Sequence, residues 1–272
     1  ELLKKEKILA SIQLLQKEYI NGLVNENYTF SMYIKVTEQE NILDINYKEE
    51  ERFKPSKSEE NGINLITAND LNILSIGIST AGSAEIKMAE KNRNSHIIAT
   101  TIDKEGLNYT KNIIEQYGLS ERIETKLEDI SEKMPYNDEF FDFVYARLVL
   151  HYLDNENLTN ALKEIKRVMK KHGRLYIVVR SRDEWEAKLE GASYDENTGI
   201  TKYPKYDTLG TDNVEYLYRR LHTVDSLSSF LVAEGFDIKY IKEYKEQSYK
   251  DYKRTEKVKY PNSLIECLCE KP

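Results

Sequence analysis

Two kinds of residue at regular places suggest chemistry. The run Leu71-Asn-Ile-Leu-Ser-Ile-Gly-Ile-Ser-Thr-Ala-Gly82 ends in a cluster of small residues, and a helix-like segment, Ser83 to Lys91, follows at once. Small side chains there let backbone N–H groups approach a ligand at a positively polarised helix N-terminus. The second kind is acidic. Asp103 closes one β-branched run, and Glu128 with Asp129 closes the next. A carboxylate in the first position can accept both hydroxyls of a ribose, and one in the second can accept from an adenine amino group; a solvated loop acid or a helix cap is the bland alternative for each. Arg147 and His151 follow a further apolar run, Phe140 to Ala146.

The elements that must position these residues alternate. His96 to Ile102 reads as a strand, Lys104 to Tyr117 as a helix stopped by Gly118, Arg122 to Leu127 as a strand, and Phe140 to Ala146 as a strand buried on both faces. A helix is expected from Asn155 to Lys171, capped by Asp154 or Asn155 and ended by Gly173, then a strand from Leu175 to Val179. Thr223 caps the next expected helix, and Phe236 to Ile241 and Ser263 to Cys269 are the last strands. Strands alternating with helices imply parallel pairing through right-handed crossovers, hence an open, doubly wound α/β sheet whose ligands bind at the C-terminal strand edge. Residues 1 to about 24 carry apolar positions at helical spacing and read as an amphipathic cap or lid, and Lys48 to Gly62, with Pro55, reads as a loop or hinge. The chain therefore divides into an N-terminal cap, 1–64, and a main domain, 65–272. Within the latter, 181–222 has no period and holds the only tryptophan, as a functional insertion would.

The 272 residues are 40% hydrophobic and 32% charged, the balance of an ordinary globular protein. No run approaches the roughly 18 apolar residues of a spanning helix, so no membrane partner is expected. The net charge of −7 argues against a polynucleotide partner. A basic and aromatic segment, Lys242 to Lys259, is of the kind on which single-stranded nucleic acid stacks, but four acids dilute its charge and it reads rather as a solvated linker. Cys267 and Cys269 are the two cysteines; a disulfide between such near neighbours on a strand would be strained, so both are read as reduced thiols in a cytoplasmic protein, without a metal. The first residue is Glu1 rather than Met, which leaves a trimmed N-terminus open.

The chain resembles the class I S-adenosylmethionine-dependent methyltransferases over residues 65 to 180 and again over 220 to 272. The resemblance rests on Leu74 to Gly82, on Thr101-Ile-Asp103, on Leu127-Glu-Asp-Ile130, on Met134 to Leu153 with its Phe-Asp before a strand and His-Tyr-Leu after it, and on Leu162 to Leu175. It implies a Rossmann-like, seven-stranded, mostly parallel sheet whose last strand inserts antiparallel beside the fifth. It also implies S-adenosyl-L-methionine as cofactor and S-adenosyl-L-homocysteine as product. Carried over by position, Gly77, Ser79 and Ala81 stand beside the methionine part, Gly82 takes over the left-handed position, and Asp103 meets the ribose. Glu128, Asp129 and Ile130 lie by the adenine, and Arg147 and His151 lie on the cofactor and substrate side.

Three positions depart from the family pattern. Ser75 stands where an acid is common, and Ser79 and Ala81 replace glycines, which keeps close backbone approach as long as their φ angles are negative. His151, with an ordinary pKa of about 6.5, is the candidate general base, against a histidine that only bonds within its loop. Arg147 is read either as a partner of an anion or as a structural bridge. Trp185, Tyr194, Tyr203 and Tyr206 are candidates for an acceptor pocket, and Arg219, Arg220 and His222 could add a positive cluster to it. The expected activity is methyl transfer to a small molecule or a protein or peptide side chain, by a monomer or homodimer. The alternative is a non-catalytic relative that keeps the fold as a binding platform.

Overall fold

A computed structural model describes residues 54–205, 208–210, 213–249 and 254–272. The helix expected near the N-terminus and Tyr206 lie outside these residues. The described chain builds a seven-stranded sheet in the order β3-β2-β1-β4-β5-β10-β9. Its strands are β1 (Asn72–Ile76), β2 (His96–Thr101), β3 (Ile123–Leu127), β4 (Phe141–Arg147), β5 (Met169–Arg180), β9 (Asp237–Glu246) and β10 (Asn262–Glu270). The first five pair in parallel, and β10 runs antiparallel to both β5 and β9. Strand order reverses at β1, the switch point where such sheets open a crevice.

Alternation along the strands sorts the core into two faces. Leu74, Ile76, Val144, Ala146, Leu175 and Ile177 pack under α4 (Asn155–Val168) and α5 (Val224–Ala233). Ile73, Phe143, Tyr145 and Tyr176 face the opposite layer, built from α1 (Lys57–Leu65), α2 (Ser83–Lys91) and α3 (Lys104–Gln116). Asp154 and Thr223 cap α4 and α5 through side-chain oxygens, as their positions predict.

Two expectations change. The charged stretch up to Gly62 contains α1 rather than a loop. Ser56 accepts from Glu59 N at 3.3 Å and two glutamates occupy the first turn, so a capping signal sits just after Pro55. Gly62 lets this helix lie flat on the sheet, because a Cβ there would stand 2.4 Å from the Tyr176 ring and 2.5 Å from that of Tyr145. The helix before β5 ends at Val168, not Lys171, because β5 already begins at Met169, opposite Phe141. Residues 181–222, aperiodic in sequence, contain a small antiparallel sheet of β6 (Ser193–Tyr194), β7 (Thr201–Pro204) and β8 (Tyr216–Arg219).

Candidate cofactor and acceptor site

The turn after β1 is held from two sides. Gly77 N and Ile78 N donate to Thr100 O of β2 at 2.9 and 3.0 Å, so the glycine amide is engaged by the sheet. Gly77 has φ 78°, and a Cβ on it would be 3.1 Å from Val149 Cβ; its smallness admits the segment after β4. From the helix side, Glu85 reaches back. Its carboxylate accepts from Ser75 Oγ at 2.6 Å, Ser79 Oγ at 2.6 Å and Ser79 N at 3.3 Å, while Ser79 Oγ also accepts from Ala84 N at 2.8 Å. The acid missing at position 75 is thus supplied from the first turn of α2, with serines shaped to receive it. Burial raises the Glu85 pKa, against the lowering effect of its hydrogen bonds. Nothing in the spacing from Ser75 marks Glu85, so sequence reasoning passed over it.

Ala81 corrects one expectation. Its φ is 54°, so it occupies the left-handed region, where a Cβ is unfavourable, and Gly82 at 69° follows in the same region. The left-handed role expected of Gly82 is shared between the two.

The three acids stand at the C-terminal strand edge, each already fixed. Asp103 caps α3: its Oδ1 accepts from Glu105 N at 3.0 Å and Gly106 N at 3.3 Å. Both Glu128 oxygens accept from Tyr136 Oη at 2.7 Å, and Asp129 Oδ1 accepts from Ser131 N and Oγ at 2.9 and 2.8 Å. Ile76, Thr100, Glu128, Asp129, Ile130 and Met134 line a cavity of about 160 Å³. Asp103 and the glycine turn are not among its walls.

Beyond β4 the residues separate. Arg147 donates from Nε to Ser58 Oγ at 2.8 Å and from Nη2 to Ser56 Oγ at 2.6 Å, and it lies 3.5 Å from Glu246. Ser58 N and Oγ donate to the same glutamate. Arg147 therefore locks the start of α1 to β9, the structural bridge rather than the anion partner. His151, in a 3₁₀ turn over Leu150–Tyr152, is 1% exposed. Burial, then Arg219, Arg180 and His222, drive its pKa well below 6.5, so it is a neutral and weak base instead of one matched to neutral pH. The expected aromatic wall is dispersed: Trp185 packs on Tyr260 at 4.4 Å, Tyr194 lies exposed under Arg182, and Tyr203 is fully buried. Arg220 donates to Leu153 O and Thr198 O at 3.0 and 2.7 Å.

Residues 74–177 match the family described as a methyltransferase domain. Over that stretch the chain is similar to the family. An uncharacterized protein of Methanocaldococcus jannaschii is 26% identical over 118 residues, 39% of this chain and 55% of that protein, so the chain spans about half the length of this curated relative. Among solved structures, a Methanosarcina mazei protein described as a SAM-dependent methyltransferase superposes with a TM-score of 0.55 at 20% identity, over 76% of this chain and 95% of its own. A Listeria monocytogenes protein described as a putative S-adenosylmethionine-dependent methyltransferase gives 0.57 at 15%, covering 79% and 98%. The [4+2]-cyclase SpnF gives 0.53 at 16%, covering 77% and 78%. At these identities the superpositions establish the fold.

Within residues 74–177, the cavity tests the fit to S-adenosylmethionine. Thr100 Oγ1 is buried with no hydrogen-bond partner among the described residues, although Thr100 lines a space shared with two carboxylates and the apolar Ile130. An unmet hydroxyl beside acceptor oxygens and an apolar wall suits a flat base bearing an amino group. The residues fit the adenosyl part of that cofactor.

Proposed function

We propose that the chain transfers a methyl group from S-adenosylmethionine to a small-molecule or protein side-chain acceptor. The observation that carries this reading is the unsatisfied Thr100 hydroxyl in a cavity walled by Glu128, Asp129 and Ile130, at the switch point of a methyltransferase domain. The cofactor, when bound, supplies a methyl sulfonium open to in-line displacement. The chain's part is to hold and to exclude water. Glu128, Asp129 and Ile130 hold the base, Asp103 meets the ribose hydroxyls, and the Glu85 network fixes the turn beside the methionine part. Positioning of this kind supplies most of the acceleration in such displacements. A buried, neutral His151 removes a proton only from an acceptor that is already acidic.

A second reading has one observation in its favour. SpnF, a cyclase by description, shares the fold, and here the base candidate is held weak, so the domain could bind the cofactor without moving its methyl group. Calorimetric titration with S-adenosylhomocysteine tests both. Micromolar binding is expected, with Thr100→Val, which keeps shape and removes the hydroxyl, weakening it about fivefold or more. No affinity at millimolar ligand would sink both readings, and binding without turnover on any acceptor fraction would favour the second.

A further inference from the structure

A group of buried polar atoms lies beneath the insertion, away from the adenosyl cavity. Among the described residues, His151 Nδ1, His222 Nε2 and Arg180 Nε are buried without a hydrogen-bond partner, as is Glu184 Oε1. They belong to one cluster. Arg220 N donates to His151 O at 2.8 Å, His222 N donates to Arg180 O at 3.0 Å, and Ser181 bridges to His222 between strands. The His151 ring stacks on Tyr152 at 4.3 Å, and the Arg219 guanidinium sits 5.6 Å over the same tyrosine.

Arg219 is the centre of the case. It is 7% exposed, and among the described residues it makes one side-chain hydrogen bond, to Tyr203 Oη at 2.9 Å, and no ion pair. Burial of this guanidinium is offset by Tyr152, by the Tyr203 hydroxyl and by the charge of Glu186, which together raise its pKa. Glu184 pairs with Arg180 at 2.8 Å and accepts from Ser263 N, and the charge of Glu186 favours the Arg219 cation. The cations that lower the His151 pKa are Arg219 and Arg180. His222 Nδ1 faces Ser226 Oγ at 3.0 Å, so a tautomer accepting from that hydroxyl carries its N–H at the unpartnered Nε2.

Three buried nitrogens without a partner among the described residues, on His151, His222 and Arg180, lie beside the Arg219 cation and call for an acceptor. We propose that Arg219, Arg180, His151 and His222 bind the oxyanion, carboxylate or phosphate, of the methyl acceptor. Arg219 supplies the charge, and the two neutral imidazoles and Arg180 Nε supply directed N–H groups. Tyr152 and Glu186 beside it are half-buried. That the cluster binds an oxyanion stands on its own geometry; that the oxyanion belongs to a methyl acceptor rests on the function proposed above.

The test uses the whole chain with ¹⁵N-labelled histidine, which gives four ring systems. Sodium acetate and sodium phosphate are titrated against sodium chloride at equal ionic strength. Saturable shifts at His151 and His222, with His96 and His172 responding alike to all three salts, are expected, and the tighter of acetate and phosphate reports a planar or tetrahedral preference. Arg219→Gln is expected to weaken the effect about tenfold or more; should that variant fail to fold, the wild-type titration decides alone. Chloride acting equally, or His151 and His222 unmoved, would overturn the site. S-adenosylhomocysteine binding on the same sample separates the two claims. Bound cofactor product with unmoved histidines rejects the oxyanion site alone, whereas moved histidines without that binding reject its assignment to a methyl acceptor.

Discussion

Ala81 sits in the left-handed region with φ 54°, a conformation that costs an L-residue about 1–2 kcal/mol. Glycine relieves the Cβ but loses more chain entropy on folding. Ala81→Gly should therefore stabilise the fold by about 0.5–1 kcal/mol in urea unfolding, and a destabilised variant would show that the alanine methyl packs better than it strains. The same turn shows why single positions misled. Ser75 and Ser79 look like losses against the family pattern until Glu85 is seen bonded to both hydroxyls. At residue scale, a substitution in sequence was compensated by a carboxylate ten positions away, and only the fold brought them together.

At the scale of elements, α1 is the piece whose role depends on contact. Its start is tied by Ser56 and Ser58 to Arg147 and Glu246, and Tyr176 Oη donates to Ser58 O at 2.5 Å. Its middle rests on the stacked rings of Tyr145 and Tyr176 through Gly62. An added Cβ gains helix propensity but overpacks that contact. Gly62→Ala should lower stability by about 1–2 kcal/mol by chemical denaturation, and a neutral or stabilising result would mean that α1 shifts freely over the sheet. The insertion shows the opposite balance. Its sheet is three short strands, and its aromatic residues do not form one wall; Tyr203 goes inward to Arg219, while Tyr194 remains on the outside.

For the whole molecule, the buried histidines set a pH dependence. Burial, with Arg220 and Arg182, lowers the His222 pKa from 6.5 to about 3, and burial with Arg219, Arg180 and His222 lowers that of His151 well below 6.5. Each imidazole gains its proton on unfolding, so below pH 6.5 the unfolded chain binds more protons. Their contribution to stability is complete above that pH and falls away as pH drops, by about 1.4 kcal/mol per pH unit for each histidine. Unfolding free energies measured from about pH 7 down to pH 5 should show this slope, shallower in His222→Gln; an unchanged slope in the variant would place the acid sensitivity elsewhere. The amino-acid sequence was enough for the alternating elements, the parallel sheet and the acids at the strand ends, because local periodicity, caps and turn residues are carried by neighbouring positions; the inserted antiparallel strand came only from the family resemblance. The sequence could not show α1 lying on the tyrosine pair, Arg147 turned to Ser56 and Ser58, Glu85 supplying the turn's acid, or His151 sunk among arginines. Those facts depend on which side chains meet across distant segments and on how far each is removed from water, and both are decided only when the tertiary structure closes.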